Sequence, residues 1–95
     1  MTQNHYVYIV ECADDTFYTG YTTDVTRRVS EHNTGNGAKY TAGRTPVTLR
    51  YVEYHETRST AQSREHEIKS LSRGQKEQLV ESRSETVPVR FQDEE

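Results

Sequence analysis

The chain has 95 residues, enough for one folded domain and too few for two independent cores. Hydrophobic residues make up only 31% of it and the mean hydropathy is −1.04, which indicates a small core and excludes a membrane-spanning segment. The single cysteine excludes an intramolecular disulfide framework. Because no signal-peptide pattern opens the sequence, we expect a cytoplasmic protein.

The net charge of −3 is unevenly distributed along the chain. Residues 1–26 contain four acidic residues and no Lys or Arg. Residues 27–50 contain five basic residues against one acidic residue, a net charge of +4. Residues 81–95 contain five acidic residues against two arginines, a net charge of −3. The overall acidity therefore does not exclude a nucleic-acid partner for the basic middle of the chain.

The first part of the chain predicts a β-hairpin. Residues 5–12 are rich in β-branched and aromatic side chains, and because both faces are apolar we expect this strand to be central in its sheet. Residues 13–16 are a turn, and residues 17–21 return as the second strand. Gly20 leaves room for another group to approach the backbone closely.

A helix is expected over residues 24–33. Arg28 and His32 are four residues apart, so they lie on the same side of that helix. Its N-cap oxygen is expected from one of Thr22, Thr23 and Asp24.

The second half of the chain predicts a long loop, a third strand and two helices. Residues 34–46 are polar and glycine-rich, and a loop of this length is unusual unless it is functional. Residues 47–54 alternate as in a strand, with odd-numbered side chains on one face and even-numbered ones on the other. Two helices follow, ending near residues 71 and 81 and opened by the capping-box pairs Ser59–Gln62 and Ser72–Gln75.

These elements predict an α+β domain over residues 1–81, with the order β-β-α-β-α-α and a small three-stranded antiparallel sheet flanked by helices. Residues 82–95 are acidic and polar and are predicted to form a flexible tail. We expect this tail to compete with nucleic acid for the basic residues 27–50 at low salt. Titrations of DNA with full-length and truncated chains at two salt concentrations test that expectation.

Several residues in the first third of the chain form a spaced motif. Val7-Tyr8 is followed ten residues later by Tyr18-Thr19-Gly20, and then by Arg28 and His32. This set resembles the GIY-YIG nuclease domain, with Tyr6-Val7-Tyr8 for Gly-Ile-Tyr and Thr19 for isoleucine. Further segments resemble the small stand-alone members of that family (the YhbQ type), namely Gly37-Ala38-Lys39-Tyr40-Thr41, Arg64-Glu65, Ile68-Lys69 and Leu71-Ser72-Arg73.

The resemblance implies a three-stranded antiparallel sheet and metal-dependent hydrolysis of phosphodiester bonds. It implies Tyr8, Tyr18, Arg28, His32 and Glu65 as the catalytic residues. Glu65 would bind Mg²⁺ (or Mn²⁺) as a single carboxylate completed by water and phosphate oxygens. Arg28 suits phosphate because its guanidinium is permanently charged and can bind bidentately. His32 would orient a tyrosine hydroxyl or contact phosphate.

Glu65 also stands out by its position in the predicted helix. Ala61, Glu65 and Ile68 lie on one stripe that faces the core, where an unpaired carboxylate is costly. An ion pair with Lys69, four residues later, is the structural alternative to a metal ion.

The register of the hairpin decides whether Tyr8 and Tyr18 can share a site. A two-residue loop pairs Cys12 with Phe17 and places the tyrosines on opposite faces of the sheet. A three-residue loop or a bulge pairs Cys12 with Tyr18 and brings both tyrosines to one face. We predict the second arrangement and leave open which tyrosine acts as the base. Both hydroxyls would then lie near Arg28, His32 and Glu65.

Nucleic-acid contacts are expected around the glycine-rich loop and the first helix. Basic and aromatic groups on such a loop suit a sugar-phosphate backbone, although a plain solvated loop is the structural alternative. The expected contacts are Gly20, Arg27, Asn33, Lys39, Tyr40, Thr41 and Arg44.

We therefore predict a metal-dependent endonuclease acting on DNA, on branched or damaged forms in repair or recombination. The alternative is a nucleic-acid-binding module with the same fold and little or no activity, because 95 residues leave little surface for substrate specificity. In either case a protein partner could supply that specificity. A purely structural scaffold would leave Arg28 and Glu65 unexplained.

Overall fold

The computed structural model describes residues 4–83. Its elements are, in order, β1 (His5–Glu11), β2 (Phe17–Thr22), α1 (Val25–Asn33), α2 (Lys39–Ala42), β3 (Thr48–His55), α3 (Arg58–Lys69) and α4 (Arg73–Arg83). The predicted α+β class and antiparallel sheet are confirmed. Of the predicted tail, residues 84–95 lie outside the described residues. No helix within the described range has the length and apolar character to cross a membrane.

β1 is the central strand, as its apolar pattern predicts. It pairs antiparallel with β2 on one side and β3 on the other. Tyr8 and Val10 are buried on the face of the sheet that α1 covers, which we call the α1 face. Val7 and Ile9 are buried on the opposite face, together with Ile68 of α3, and we call this the α3 face.

The β1–β2 hairpin has a three-residue loop, residues 13–15. Cys12 lies opposite Thr16, and its N–H donates to the Thr16 carbonyl oxygen at 2.7 Å. Asp15 closes the loop in the left-handed region, with φ of 69°. Tyr8 and Tyr18 therefore lie on the same face, as predicted. The predicted pairing of Cys12 with Tyr18 is wrong, because a three-residue loop leaves Thr16 as the partner.

β3 departs from strict alternation. Tyr51 pairs with Ile9, whereas Leu49 pairs with Val10, so Arg50 is the extra residue of a β-bulge. Because of the bulge, Leu49 packs on the α1 face while Tyr51 packs on the α3 face. The prediction that all odd-numbered side chains of this strand share a face is wrong at this point.

Short polar side chains begin α1 and α3. Asp24 caps α1 by accepting from the N–H of Arg27 at 3.1 Å, as predicted. In α3 the cap is Thr57, whose side chain accepts from the N–H of Thr60 at 3.1 Å. The predicted capping box that begins at Ser59 is therefore wrong, and the N-cap lies two residues earlier.

The capping box that opens α4 forms as predicted. The N–H of Gln75 donates to the Ser72 hydroxyl at 3.2 Å, and the N–H of Ser72 donates to the Gln75 side-chain oxygen at 2.9 Å. Arg73, the first residue of the helix, lies over the Phe17 ring, 4.7 Å from its centroid. This contact packs the start of α4 against the start of β2.

Residues 34–46 are not the plain loop that the sequence predicts, because they contain α2. The two ends of this segment are tied together by the side chain of Asn33. Its amide donates to the carbonyl oxygen of Val47 at 3.2 Å and accepts from the N–H of Val47 at 2.6 Å. The segment therefore leaves and rejoins the domain at one point, the Asn33–Val47 clasp.

Candidate active site

The site starts from the contact between Tyr8 of β1 and Gly20 of β2. The two residues face each other in the hairpin, and the Tyr8 side chain lies across the glycine. A Cβ at position 20 would overlap the hydroxyl and ring of Tyr8. Gly20 is therefore what allows Tyr8 to lie against the sheet, and the predicted close approach is made by Tyr8 itself.

His32, from the last turn of α1, is buried and bonded at both ring nitrogens. Its Nε2 lies 2.8 Å from the Tyr8 hydroxyl, and its Nδ1 lies 2.8 Å from the Thr41 hydroxyl of α2. Gly37 packs directly against the ring, because a Cβ there would overlap Nδ1. The bond between Tyr8 and His32 links β1 to α1, and the bond to Thr41 extends the chain to α2.

The hydrogen bonds around Nδ1 define the tautomer of His32. The Thr41 hydroxyl donates to the carbonyl oxygen of Ala38 at 3.0 Å, so it accepts from Nδ1–H. The N–H of Ala38 also points at Nδ1, but at 3.4 Å this is the longer contact. We place the proton on Nδ1 because the bond to Thr41 is shorter, so Nε2 accepts from the Tyr8 hydroxyl. Burial and the nearby Arg28 charge lower the pKa of His32, which favours this neutral ring.

Arg28 and Tyr8 meet at the Tyr8 hydroxyl. Burial raises the pKa of Tyr8 to about 12, although the Arg28 side chain opposes that shift. Tyr8 is thus a protonated hydrogen-bond donor at neutral pH. Arg28 is half-buried and also bonds Glu31, with 3.0 Å between Nη1 and Oε1, and these contacts hold its guanidinium beside the tyrosine.

Tyr18 lies on the outer side of this cluster. Its ring centroid is 6.5 Å from that of Tyr8 and 5.4 Å from that of His32. Tyr40 of α2 stacks on it at 5.8 Å, and the Arg44 guanidinium lies 4.2 Å from the Tyr40 ring centroid. Within residues 4–83 the Tyr18 hydroxyl makes no hydrogen bond and is not buried. It is therefore available to a molecule that enters from solvent.

Glu65 comes from α3 and is placed near Tyr18 through Lys69, which lies close to both side chains. Its side chain is 21% exposed, which agrees with the predicted inward-facing stripe. Its negative charge contributes to the raised pKa of Tyr8. The predicted structural alternative is also present, because Lys69 lies 3.0 Å from the Glu65 carboxylate. The Lys69 ammonium in turn lies 6.0 Å from the Tyr18 ring centroid.

The donor atoms of the site can be tested against the metal ions that proteins bind. Glu65 is the carboxylate that the site offers to a metal ion, since Glu31 is bound to Arg28, and no group of three or more His, Cys, Asp and Glu side chains within residues 4–83 is arranged to hold one. Such a set does not suit zinc, which takes three or four protein ligands. It fits Mg²⁺, which uses one or two carboxylates and retains water and phosphate oxygens.

Four of the residues predicted to contact nucleic acid are accessible. Arg27, Lys39 and Tyr40 are exposed, and Arg44 is partly exposed. Arg44 is held by the Tyr40 carbonyl oxygen at 2.8 Å and by Asp14. These side chains extend from α1 and α2 beside the tyrosines.

Two of the other three predicted contacts are not accessible to a nucleic acid. Gly20 is buried beneath Tyr8, and Thr41 is fully buried against His32. Asn33 is exposed, and its side-chain amide is bonded to Val47. Gly20 and Thr41 therefore support the site from within.

Gly37 and Lys69 are parts of the site to which the sequence analysis assigned no role. Gly37 lies five residues after His32, and its lack of a side chain lets the loop close over the ring. The segment from Gly37 to Thr41 stood out in the sequence as part of the family resemblance. Its contact with His32 could not be predicted, because only the fold brings the two together. Lys69 was named only as the partner of Glu65, and its position near Tyr18 was not expected.

The fold and this cluster define a nuclease domain of the GIY-YIG class. Residues 4–78 match the GIY-YIG catalytic domain, and the chain belongs to that family. Its relatives are small stand-alone proteins. A UPF0213 protein of Haloquadratum walsbyi is 67% identical over 81 residues, covering 85% of this chain and 91% of the relative. A UPF0213 protein of Staphylococcus haemolyticus is 54% identical over 79 residues, covering 83% and 96%.

Two solved structures are similar in fold. The solution NMR structure of the UPF0213 protein BH0048 from Bacillus halodurans is 52% identical, with a TM-score of 0.57 and coverage of 85% of this chain and 86% of that one. The solution NMR structure of EF2693 from E. faecalis is 45% identical, with a TM-score of 0.58 and coverage of 86% and 90%. The predicted resemblance to the stand-alone subgroup is confirmed.

Proposed function

We propose that this protein is a metal-dependent endonuclease that hydrolyses phosphodiester bonds in DNA. The observation that carries the proposal is the convergence of Tyr8, Tyr18, Arg28 and His32 on the α1 face, with Glu65 at the edge of the same site. Its membership of a nuclease family supports the reaction class.

Arg28 is the residue proposed to bind the scissile phosphate. Its guanidinium is half-buried, so its charge is less screened by water than that of the exposed Arg27. Hydrolysis forms a bond between the water oxygen and phosphorus and breaks one P–O ester bond, while negative charge builds on the phosphoryl oxygens. One proton of the water ends on the departing ester oxygen, and the other is released to solvent from the new phosphate. Arg28 would neutralise that charge from a position already fixed by Glu31 and Tyr8.

The two tyrosines receive different roles. The Tyr18 hydroxyl is unbonded within the described range and reachable, so it can accept a hydrogen bond from the attacking water and orient it. Tyr8 is buried, and its hydroxyl is used by His32 and Arg28. We therefore assign Tyr8 and His32 as positioning residues that hold Arg28, and Tyr18 as the residue that contacts water.

Glu65 is the residue proposed to hold Mg²⁺, or Mn²⁺ in its place. When bound, such an ion would lower the pKa of water and neutralise phosphate charge. Glu65 would have to exchange its ion pair with Lys69 for the metal. Because Lys69 is half exposed, that pair contributes little to stability and can be exchanged readily.

Cleavage of a panel of labelled DNAs tests the proposal. Single-stranded, duplex, nicked and branched DNAs are incubated with the protein and Mg²⁺ or Mn²⁺, with a chelator as the negative control. Nicked or branched forms should be cut best, because a domain of this size can read DNA shape with fewer contacts than base sequence requires. A protein partner and a role in repair are compatible with that preference.

The matched variants are Glu65→Gln and Glu67→Gln, two neutralised carboxylates on the same helix. Among residues 4–83, Glu67 pairs only with Arg64, on the exposed side of α3. Glu65→Gln should lower cleavage at least about a hundredfold while DNA binding stays nearly unchanged, and Glu67→Gln should leave both unchanged. Equal cleavage by the two variants would refute the role of Glu65.

The second candidate function is DNA binding without cleavage. The observation that favours it is the ion pair at Glu65, since Lys69 already neutralises the only carboxylate proposed to bind metal. It predicts DNA binding with no cleavage of any substrate in either metal. It also predicts that adding the protein to a Mn²⁺ solution leaves the relaxation rate of the water protons unchanged, because no metal ion binds.

A further inference from the structure

A groove runs round the outer edge of β2, beside the candidate active site. It lies between the start of α1, the end of β2 and the first residue of α3. Its main side chains are His5, Tyr21, Arg27, Arg28, Glu31 and Arg58, and we call it the arginine groove. Arg28 belongs both to this groove and to the cluster with Tyr8, so the two sites are continuous.

The groove carries a surplus of positive charge. Its lining includes three arginines and one carboxylate, and that carboxylate, Glu31, is bound to Arg28. The nearest carboxylate to Arg27 is Asp24 at 3.9 Å, and both side chains are more than half exposed. Arg58 has no carboxylate within 4.0 Å among residues 4–83. Two of the three guanidinium groups are therefore available to an anion.

An aromatic wall gives the groove a fixed shape. The ring of His5 stacks on that of Tyr21 at 5.9 Å, and its Nδ1 lies 2.8 Å from the Tyr21 hydroxyl. The Arg58 guanidinium lies 5.9 Å from the Tyr21 ring centroid. Because the stack and the hydrogen bond hold Tyr21, the ring restricts where Arg58 can point.

We propose that the arginine groove binds a phosphodiester of the DNA strand next to the scissile phosphate, with Arg58 and Arg27 as its ligands. The proposal rests on the proposed function, because it takes Arg28 to be the ligand of the scissile phosphate. Phosphates follow one another at about 3.4 Å along the axis of each strand, so a strand seated at Arg28 continues into the groove. The guanidinium fork matches the oxygens of a phosphate.

Binding of a short labelled DNA to wild-type protein and to Arg58→Gln, at several salt concentrations, tests the groove. We expect Arg58→Gln to weaken binding several-fold at low salt. The slope of log affinity against log salt should decrease by about 0.9 for duplex DNA, the loss of one phosphate contact. Arg58→Lys should restore part of the slope. The matched control is Arg50→Gln on the opposite edge strand, which removes the same charge and should change neither quantity.

A second measurement locates the contact on the DNA. In a set of oligonucleotides each phosphate in turn is replaced by a neutral methylphosphonate, beginning beside the cleavage position or, without cleavage, across the footprint. One replacement should weaken wild-type binding and have no further effect on Arg58→Gln, because the two changes remove the same contact. Melting temperatures of the variants confirm that they are folded.

The outcomes separate the two proposals. If the wild type binds no DNA, both fail. If the wild type binds DNA but Arg58→Gln keeps the same affinity and salt slope, only the groove proposal fails. If an acidic peptide binds the groove and DNA binding is unaffected by Arg58→Gln, the groove serves a protein partner instead and the phosphodiester assignment is wrong.

Discussion

The two faces of the sheet are built from different chemistry. On the α1 face the buried side chains include Tyr8, His32 and Thr41, joined by hydrogen bonds. On the α3 face the buried core is mainly aliphatic, with residues such as Ile9 and Ile68, and Tyr51 adds a hydroxyl that donates to Glu53. Each polar group on the α1 face is held in one orientation by its hydrogen bonds. Burial of aliphatic side chains stabilises the fold without requiring a particular orientation. Chemistry and stability are thus separated by β1, which contributes alternate residues to each.

This comparison predicts that the α1 face, together with Glu65 of α3, controls activity and that the buried core of the α3 face controls stability. The largest expected effect is on catalysis. Arg28→Gln should lower cleavage by about 100- to 1,000-fold, because the charge on the phosphoryl oxygens loses its partner, and should change unfolding free energy by less than about 1 kcal/mol. Single-turnover cleavage and chemical denaturation measure the two quantities. Arg27→Gln is the control, and a similar loss of rate in it would remove the distinction between the two arginines.

The second largest effect is on stability and concerns the α3 face. Ile68 is fully buried among aliphatic residues, so Ile68→Ala should cost about 2–5 kcal/mol of unfolding free energy. The His32 NMR signals should remain in place below the melting temperature, since the cavity opens on the opposite face. A shift of those signals would show that the faces are coupled. If Ile68→Ala does not fold, the milder Ile68→Val, at about 0.5–1.5 kcal/mol, gives the same reading.

Substitutions at two glycines, Gly20 and Gly43, test whether the space beside a glycine or its backbone conformation is what matters. Gly20→Ala should cost about 1–3 kcal/mol and reduce cleavage, because the new methyl group displaces Tyr8. Gly43→Ala meets no heavy atom within 4 Å and should be nearly neutral in both assays. Thermal melting and cleavage of both variants, made in parallel, provide the measurement. Equal behaviour of the two would mean that Tyr8 moves aside at no cost.

The smallest effect concerns pH. Burial lowers the pKa of His32, so the stability from its neutral ring is complete above the unfolded value of 6.5 and is lost as pH falls through the folded pKa. On the α3 face, burial acts to raise the pKa of Glu53, but hydrogen bonds from Tyr51, His55 and Arg64 outweigh it and lower that pKa. The Glu53 contribution is complete above 4.5 and is lost only at more acid pH.

Lowering the pH should therefore weaken the α1 face first. NMR titration of His32 should give a midpoint below 6.5, and melting temperature should begin to fall below that pH. Glu53→Gln should flatten only the part of the curve below pH 4.5. A His32 midpoint at or above 6.5 would contradict the conclusion that burial and Arg28 lower the pKa of this ring.

The central strand, the three longer helices and the shared face of Tyr8 and Tyr18 could be predicted from the sequence, because hydrophobic period and motif spacing are local signals, whereas the short helix α2 was missed. The bulge at Arg50 could not, since an extra residue leaves the composition of a strand unchanged. The role of Gly37 was missed for a different reason. Its partner is the ring of His32, and only the folded loop brings them together. The arginine groove likewise joins His5 to Arg58, which are distant in sequence.

The Asn33–Val47 clasp has a consequence for how this small domain can be extended. Two hydrogen bonds hold the ends of residues 34–46 together. The position of β3 in the sheet should therefore not depend on the length of the segment between them. Gly43 is exposed with no neighbour near its missing side chain, so new residues can enter there at the cost of the bond from the Arg44 N–H to the Thr41 carbonyl oxygen. Beyond that bond, each doubling of the loop should cost only about 0.6 kcal/mol in closure entropy. A recognition segment grafted at that position would project from beside Tyr40 and Arg44, next to the candidate active site.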